Sequence, residues 1–529
     1  MPTTPGSSAQ NPAFSNPFID ALLWMNPTNL LKKVGTTTQI SYSFGDAGTY
    51  TYFSPDAKNP TSTKASDFQI NTMNWDNYGG LNAADKGPSG KIKLMNGDEI
   101  DLGKVSREDG TSLVLSGEKA AVYIGLKMWS SVADIQISMA TTFDKATFKY
   151  LAVDQASMVD YTGLESVGGI ANMQTNYSAN VGYANTNYSP GYSAIDVSVW
   201  DQWSILPGGQ RFTAMLHETG HLLGLDHPFD EDCHRNDGSA EPVFPVSQAD
   251  QRVYSVMSYD AGLDFEGENA GLGAFDIAAV QAIYGVNKTY HATDDKYILP
   301  MEDANGLGWM CLWDTGGVDT ISVAPTTKSA VIDLQDASLN VADGANAGGY
   351  VSRVDGVVGG FTIANGVVIE NATGSSGNDS LRGNEFNNRL EGGAGNDTLV
   401  GGCGSDHLIG GVGADTFWYK NIHDFHDKLG SGGKQIIDYI DDFKSGTDKL
   451  SFKTFDSDPT STYAPRTFTF IGDSDAIGEK VALKKDGTAQ LMFSSKSNNL
   501  FGDVNGDGIT DFTIKLTGVS SLKSTDFIL

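Results

Sequence analysis

The run Gly374-Ser375-Ser376-Gly377-Asn378-Asp379-Ser380-Leu381-Arg382 is the first of five consecutive nonapeptides. GNEFNNRLE from Gly383, GGAGNDTLV from Gly392, GGCGSDHLI from Gly401 and GGVGADTFW from Gly410 complete the series. A tract this rich in Gly and Asp is ordinarily a solvated linker. Here one apolar residue falls at the same place in every unit, at Leu381, Leu390, Leu399, Leu408 and Phe417. That phase predicts short strands stacked over a thin apolar interior. The glycines permit tight turns whose carbonyls face a cation, and Asp379, Asp397, Asp406 and Asp415 supply carboxylate oxygens to it.

The repeat is similar to the G-G-x-G-x-D-x-U-x nonapeptide of calcium-binding RTX proteins. The resemblance implies a parallel β-roll whose half-turns alternate sides. Asp379, Asp397 and Asp415 then line one flank, and Asn388 and Asp406 the other. The second unit departs from the pattern, with Phe386 for glycine and Asn388 for aspartate, so its flank is expected to bind calcium more weakly. Further on, Asp503, Asn505, Asp507 and Asp511 place oxygen side chains around Gly506 in the manner of an EF-hand-type loop. Ile514 stands where that loop's closing Glu belongs. A calcium site is the favoured reading there, and an Asx-rich hairpin turn is the rival.

Upstream, His217-Glu218-Thr219-Gly220-His221-Leu222-Leu223-Gly224-Leu225-Asp226-His227 spells H-E-x-x-H-x-x-G-x-x-H. On a helix, residues four apart share a face, so His217 and His221 can offer imidazoles to one ion. Gly224 can leave the helix at positive φ and turn the chain back, making His227 a third ligand. Three neutral imidazoles leave an open position for water, as a catalytic zinc requires. Glu218, beside the first ligand, is placed to act as general base. The longer motif, followed by Ser255-Val256-Met257-Ser258-Tyr259, is the signature of metzincin peptidases, and Met257 can floor the imidazoles with an adaptable apolar side chain.

Several segments narrow the resemblance to the serralysin family. Pro228 follows the third histidine, and Tyr259 stands two residues after the methionine. Asp250-Gln251-Arg252-Val253-Tyr254 and Phe275 to Gly285 also look like that family. The resemblance implies that Tyr259 approaches the zinc and stabilises the transition state. It implies that Gly182-Tyr183-Ala184 is an edge strand binding extended peptide, and that Trp313 to Thr320 is an early calcium loop with Asp314 and Asp319 as ligands. Ile437 to Phe443 with Gly446 to Leu450 resembles the strand and turn after the roll. Asp526-Phe527-Ile528-Leu529 resembles an uncleaved C-terminal export signal read by type I secretion machinery.

The rest of the chain fits this frame. The formal net charge of −30 argues against nucleic acid or an anionic membrane as partner. No stretch approaches the ~20 apolar residues of a spanning helix, and the N-terminus does not read as a cleavable signal peptide. Cys233, Cys311 and Cys403 form no disulfide framework or thiolate zinc site, although one bridge, such as Cys233 to Cys311, stays open. Periodicity predicts a short helix around Asn16–Leu31, a strand over Gln39–Phe44, a hairpin-bearing insertion from about Asn77 to Gly117 and a helix over Ser116–Ala133. A strand over Asp134–Ser138 and helices over Arg211–Leu225 and Phe275–Tyr284 complete the first half.

The fold class expected is an α+β metzincin catalytic domain, with a mixed sheet and helices, followed by an all-β parallel β-roll or sandwich. The divisions expected are residues 1–38 as a lead-in, 39–287 as the catalytic domain and 288–529 as the calcium-binding roll. The function expected is a secreted monomeric zinc endopeptidase with one zinc and several structural calcium ions, acting on protein and peptide substrates. A proteinaceous inhibitor is an expected partner. A narrow-specificity processing protease or toxin is the alternative within the fold, and a catalytically silent calcium-dependent binding protein is the alternative outside it.

Overall fold

The computed structural model describes residues 16, 18–19, 22, 37–45, 48–54, 66–72, 91–115, 117–153, 169–172, 191–196, 205–228, 249–260, 267–304, 306–426, 435–455, 467–475 and 482–529. The chain forms two compact units. One comprises Met1–Tyr290, Ala304–Trp313 and Ala337–Gly348, and the other His291–Asp303, Asp314–Asp336 and Gly349–Leu529.

The first unit holds a five-stranded sheet ordered Gly169–Asn172, Gly191–Asp196, Phe148–Val153, Thr38–Phe44, Ile135–Met139. All neighbours are parallel except the edge strand Gly169–Asn172, which runs antiparallel to Gly191–Asp196. Parallel neighbours need crossovers, and α1 (Gly117–Val132) leads directly into Ile135–Met139. One face of α1 packs on α2 (Gln210–Leu222), with the Trp129 Nε1–H donating to the Leu216 carbonyl at 3.3 Å. A third helix, α3 (Ala274–Tyr284), is buried along most of its length. In the segment read as an insertion, the described part carries two antiparallel hairpins, Lys91–Lys93 with Glu99–Asp101 and Val105–Ser106 with Ser112–Leu113. Of the helix expected near the N-terminus, Phe18 and Ile19 are described and helical, capped by the Asn16 side chain, whose Oδ1 accepts from both their N–H groups. Gly182-Tyr183-Ala184 and Cys233 lie outside the described residues, while Cys311 and Cys403 are buried.

The second unit is β-rich, as a serralysin-like β-roll should be. Its central strands run parallel in two sheets, one carrying Ser380–Arg382, Thr398–Val400, Thr416–Trp418 and Lys449–Ser451, the other Arg389–Ala394, His407–Val412 and Ile437–Ile440. Successive nonapeptides therefore enter opposite sheets, and equivalent residues align every second unit. Leu381 aligns with Leu399 and then Phe417; Leu390 aligns with Leu408. All five side chains are at most 1% exposed, so the one apolar position per unit forms the interior. The first glycine of each unit has no room for a side chain. A Cβ there would lie 2.2–2.7 Å from the Asp carboxylate of its own unit at Gly374, Gly392, Gly401 and Gly410.

Candidate metal centre and calcium-binding positions

Helix α2 ends at Leu222, three residues short of the sequence expectation. Leu223 caps it, Gly224 adopts φ 98°, and the Leu225 N–H returns to the Gly220 carbonyl at 3.0 Å. The 3.6-residue pattern continues through Leu225 in the sequence, but the positive φ at Gly224 breaks the helix first. That break swings His227 back over the helix. The N-terminal segment supports the turn, because the Leu22 carbonyl accepts the Asp226 N–H at 2.9 Å and Phe18 stacks on Phe275 of α3 at 4.7 Å between ring centroids.

The three histidines converge. Nε2 of His217 lies 3.1 Å from Nε2 of both His221 and His227, and the third edge is 3.2 Å. Tetrahedral bonds of ~2.0–2.1 Å imply nitrogens about 3.3 Å apart, so the triangle fits one zinc-sized ion. The far nitrogens fix the tautomers: His217 Nδ1–H donates to the Val256 carbonyl at 2.9 Å, and His221 Nδ1–H to the Leu225 carbonyl at 2.8 Å. A carbonyl only accepts, so in the neutral rings both Nε2 atoms direct lone pairs into the triangle. Burial holds both rings in that neutral form; it pushes His217 down to about 3 and His221 well below the usual imidazole range.

The turn beneath the triangle is clamped from α3. Asp276 accepts from the Ser255 hydroxyl at 2.7 Å, the Val256 N–H at 2.8 Å and the Gly273 N–H at 2.7 Å. Val256 is thus held by its N–H while its carbonyl holds His217. Burial pushes the Asp276 carboxyl up to about 7, against those three bonds. Met257 is fully buried, and a Cβ on Gly220 would lie 2.6 Å from its sulfur. Glycine inside H-E-x-x-H therefore lets the methionine reach the helix backbone. Glu218 is buried on α2, and the hydroxyl of Tyr259, 59% exposed, lies 3.0 Å from His227 Nε2.

In the second unit, Asp379, Asp397 and Asp415 line one flank of the roll, and Asn388 and Asp406 the other. Each is tied to the next coil. The Asp379 N–H donates to Asp397 Oδ1 and the Asp397 N–H to Asp415 Oδ1; on the other flank the Asn388 N–H donates to Asp406 Oδ1. Asp448 and Asp438 continue the two rows, accepting from the N–H groups of Asp415 and Asp406. The sequence reading missed these two because they stand 33 and 32 residues on, outside the nine-residue period, though both lie in segments it had singled out. Oδ2 of Asp397, Asp406 and Asp415 is buried with no hydrogen-bond partner. Such carboxylate oxygens suit a hard cation. Asn388 differs: its amide Nδ2–H groups donate to the Glu370 carbonyl and to Asn384 Oδ1.

The remaining positions are more closed. Asp314 accepts from the Tyr297 hydroxyl at 2.5 Å and the Gly316 N–H at 2.8 Å, and Asp319 Oδ1 from the Asp295 N–H at 2.7 Å. In the last loop, Asp503 accepts from the Gly506 and Gly508 N–H groups and Asp511 from Val504. Asn505 and Asp507 accept from the N–H groups two residues on, at Asp507 and Ile509. These are Asx turns that preshape the loop.

Comparison with known proteins accords with both units. Residues 274–529 match the family model described as peptidase M10 serralysin C terminal. Serralysin of Photorhabdus luminescens is 35% identical over 430 residues, covering 78% of this chain and 79% of that protein. Serralysin C of Dickeya chrysanthemi is 34% identical over 364 residues, 65% of this chain and 68% of the other. Metallopeptidase AprA of Pseudomonas marginalis is 31% identical over 440 residues, 78% and 80% of the respective chains.

Proposed function

Since the chain belongs to the serralysin family, we propose that it is a secreted zinc endopeptidase, catalytic over residues 39–287, whose calcium-binding roll over 288–529 ends in an export signal. The observation that carries this reading is the triangle of Nε2 atoms with edges of 3.1–3.2 Å. His217, His221 and His227 would hold the zinc. Bound there, zinc supplies Lewis acidity to a water and to the scissile carbonyl.

The chain's own groups do the rest. Glu218 accepts the proton of the attacking water and passes it to the amine nitrogen as the C–N bond breaks. Tyr259 turns its hydroxyl from His227 to the developing oxyanion and stabilises it. The parallel roll takes calcium at Asp379, Asp397, Asp406 and Asp415. Further calcium positions are Asp314 and Asp319 in the early loop, and Asp503, Asn505, Asp507 and Asp511 in the last. Export through type I secretion machinery and a protein inhibitor at the cleft belong to the same reading.

The test is hydrolysis of casein by the calcium-refolded, zinc-loaded full chain. Glu218→Ala is expected to lower the rate by roughly 10²–10⁴-fold while zinc content stays unchanged, and a zinc chelator to abolish activity. A metal-loaded wild type that cuts nothing, or a Glu218→Ala variant as active as wild type, overturns the reading.

A further inference from the structure

One fully buried acid under the three histidines takes no part in the proposed chemistry. Asp276, in the first turn of α3, has no exposed surface, and neither has Ser255 in the methionine turn. The Ser255 hydroxyl donates to Asp276 Oδ1 at 2.7 Å, and Ser255 Oγ in turn accepts the Met257 N–H at 3.1 Å. That N–H shares its peptide unit with the Val256 carbonyl, which accepts His217 Nδ1–H at 2.9 Å. An unbroken chain of hydrogen bonds therefore runs from a carboxylate to a metal-binding imidazole. Its direction is fixed, because a backbone N–H only donates and a carbonyl only accepts.

The neighbouring histidine is backed differently. His221 Nδ1–H donates to the Leu225 carbonyl at 2.8 Å, and the N–H of that same peptide unit, on Asp226, donates to the Leu22 carbonyl at 2.9 Å. That chain ends on a neutral amide, whereas the His217 chain ends on a carboxylate. In a buried chain each hydrogen bond polarises the next, by roughly 10–30% per bond. The carboxylate draws the Ser255 proton, Oγ then draws the Met257 N–H, and peptide electron density shifts onto the Val256 oxygen. A richer carbonyl pulls harder on His217 Nδ1–H and leaves more electron density on Nε2, where the ligand lone pair lies. No proton has to move for this to happen.

We propose that Asp276 and Ser255 are positioning residues that polarise His217 through the Val256–Met257 peptide, making it a stronger donor to the metal than His221. The role rests on the zinc reading of the three histidines and adds an asymmetry within it. It is separable from simple support of the turn. The Val256 and Gly273 N–H groups hold the turn to Asp276 through Oδ2, without the Ser255 hydroxyl.

The experiment reads the imidazole N–H resonances of the zinc-loaded full chain labelled with nitrogen-15 histidine. It is run at about pH 8.5, where Asp276, pushed up to about 7 by burial, is ionised. Ser255→Ala is expected to move His217 Nδ1–H upfield and leave His221 Nδ1–H in place. Zinc binding should weaken roughly tenfold, the lower end of what partners behind a ligand contribute. Asp276→Asn is the second variant, should the first fold poorly. Its amide oxygen keeps the Val256 and Gly273 N–H groups and its amide nitrogen faces Ser255 Oγ, so the turn stays while the charge is lost. The same selective upfield shift is expected. A His217 resonance that stays in place, or His217 and His221 resonances that move together, overturns the relay. The peptidase reading fails separately, if a chain showing the selective shift cuts no casein.

Discussion

Tyr259 and Asn388 show how far a single residue can be read. Tyr259 is exposed, yet its hydroxyl meets His227; in the proposed reaction it acts when the oxyanion forms. Tyr259→Phe is therefore expected to lower kcat by roughly 10²–10³-fold with KM little changed, measured on a chromogenic peptide. Asn388 donates its amide hydrogens to the Glu370 carbonyl and to Asn384 Oδ1, where the proposed reading puts a cation at the aspartates of the other units. Asn388→Asp removes those donors and adds a charge, so calorimetry should find one more calcium bound than in wild type. The convergence of the three histidines, the burial of Met257 and the alignment of the four nonapeptide aspartates were legible because fixed spacing and residue chemistry coincide. Asp276 was not: it acts on Val256, 20 residues away, through a contact that no spacing records. Gly220 was hidden for a similar reason, since its need for a missing Cβ appears only with Met257 laid against it.

At the scale of elements, α1, α3 and the strands at Thr38–Phe44 and Ile135–Met139 lie within a residue or two of where periodicity puts them. Each has an apolar pattern long enough to be unambiguous. The end of α2 was displaced because one glycine φ outweighs a continuing apolar stripe. The support given to the third histidine by the N-terminal segment had no signature at all. Leu22, fully buried, holds the Asp226 N–H with its carbonyl some two hundred residues along the chain. Leu22→Ala should cost about 2–5 kcal/mol of stability in a thermal melt. The variant should also release zinc to a chelator faster than wild type, because the cavity loosens the Leu22 backbone whose carbonyl holds the Asp226 N–H.

For the whole molecule, the proposed calcium sites make the acid rows of the second unit couple folding to protons and calcium. With calcium chelated, burial raises Asp397 to about 7, well above the value of an unfolded aspartate. The proton it keeps in the folded state stabilises the unit fully below about pH 4. That contribution is lost as pH climbs towards 7, where the folded carboxyl also ionises. Melts in chelator are thus expected to show the roll weakening between these limits, and added calcium to restore most stability at the upper end, with protons released on binding. A calcium effect that is larger at pH 5 than at pH 7.5 would contradict this. The roll as a whole was legible because its nine-residue period repeats; its closing rows, at Asp438 and Asp448, were not, because the chain there leaves the period while keeping the geometry. Asn388 has one more consequence. In a stack whose coils lean only on their neighbours, a coil that carries its own substitute for the ion is a seed already in place near one end. On the proposed calcium reading, order would spread outward from it as the ion becomes available, and a rising concentration would be met by a ramp rather than a threshold.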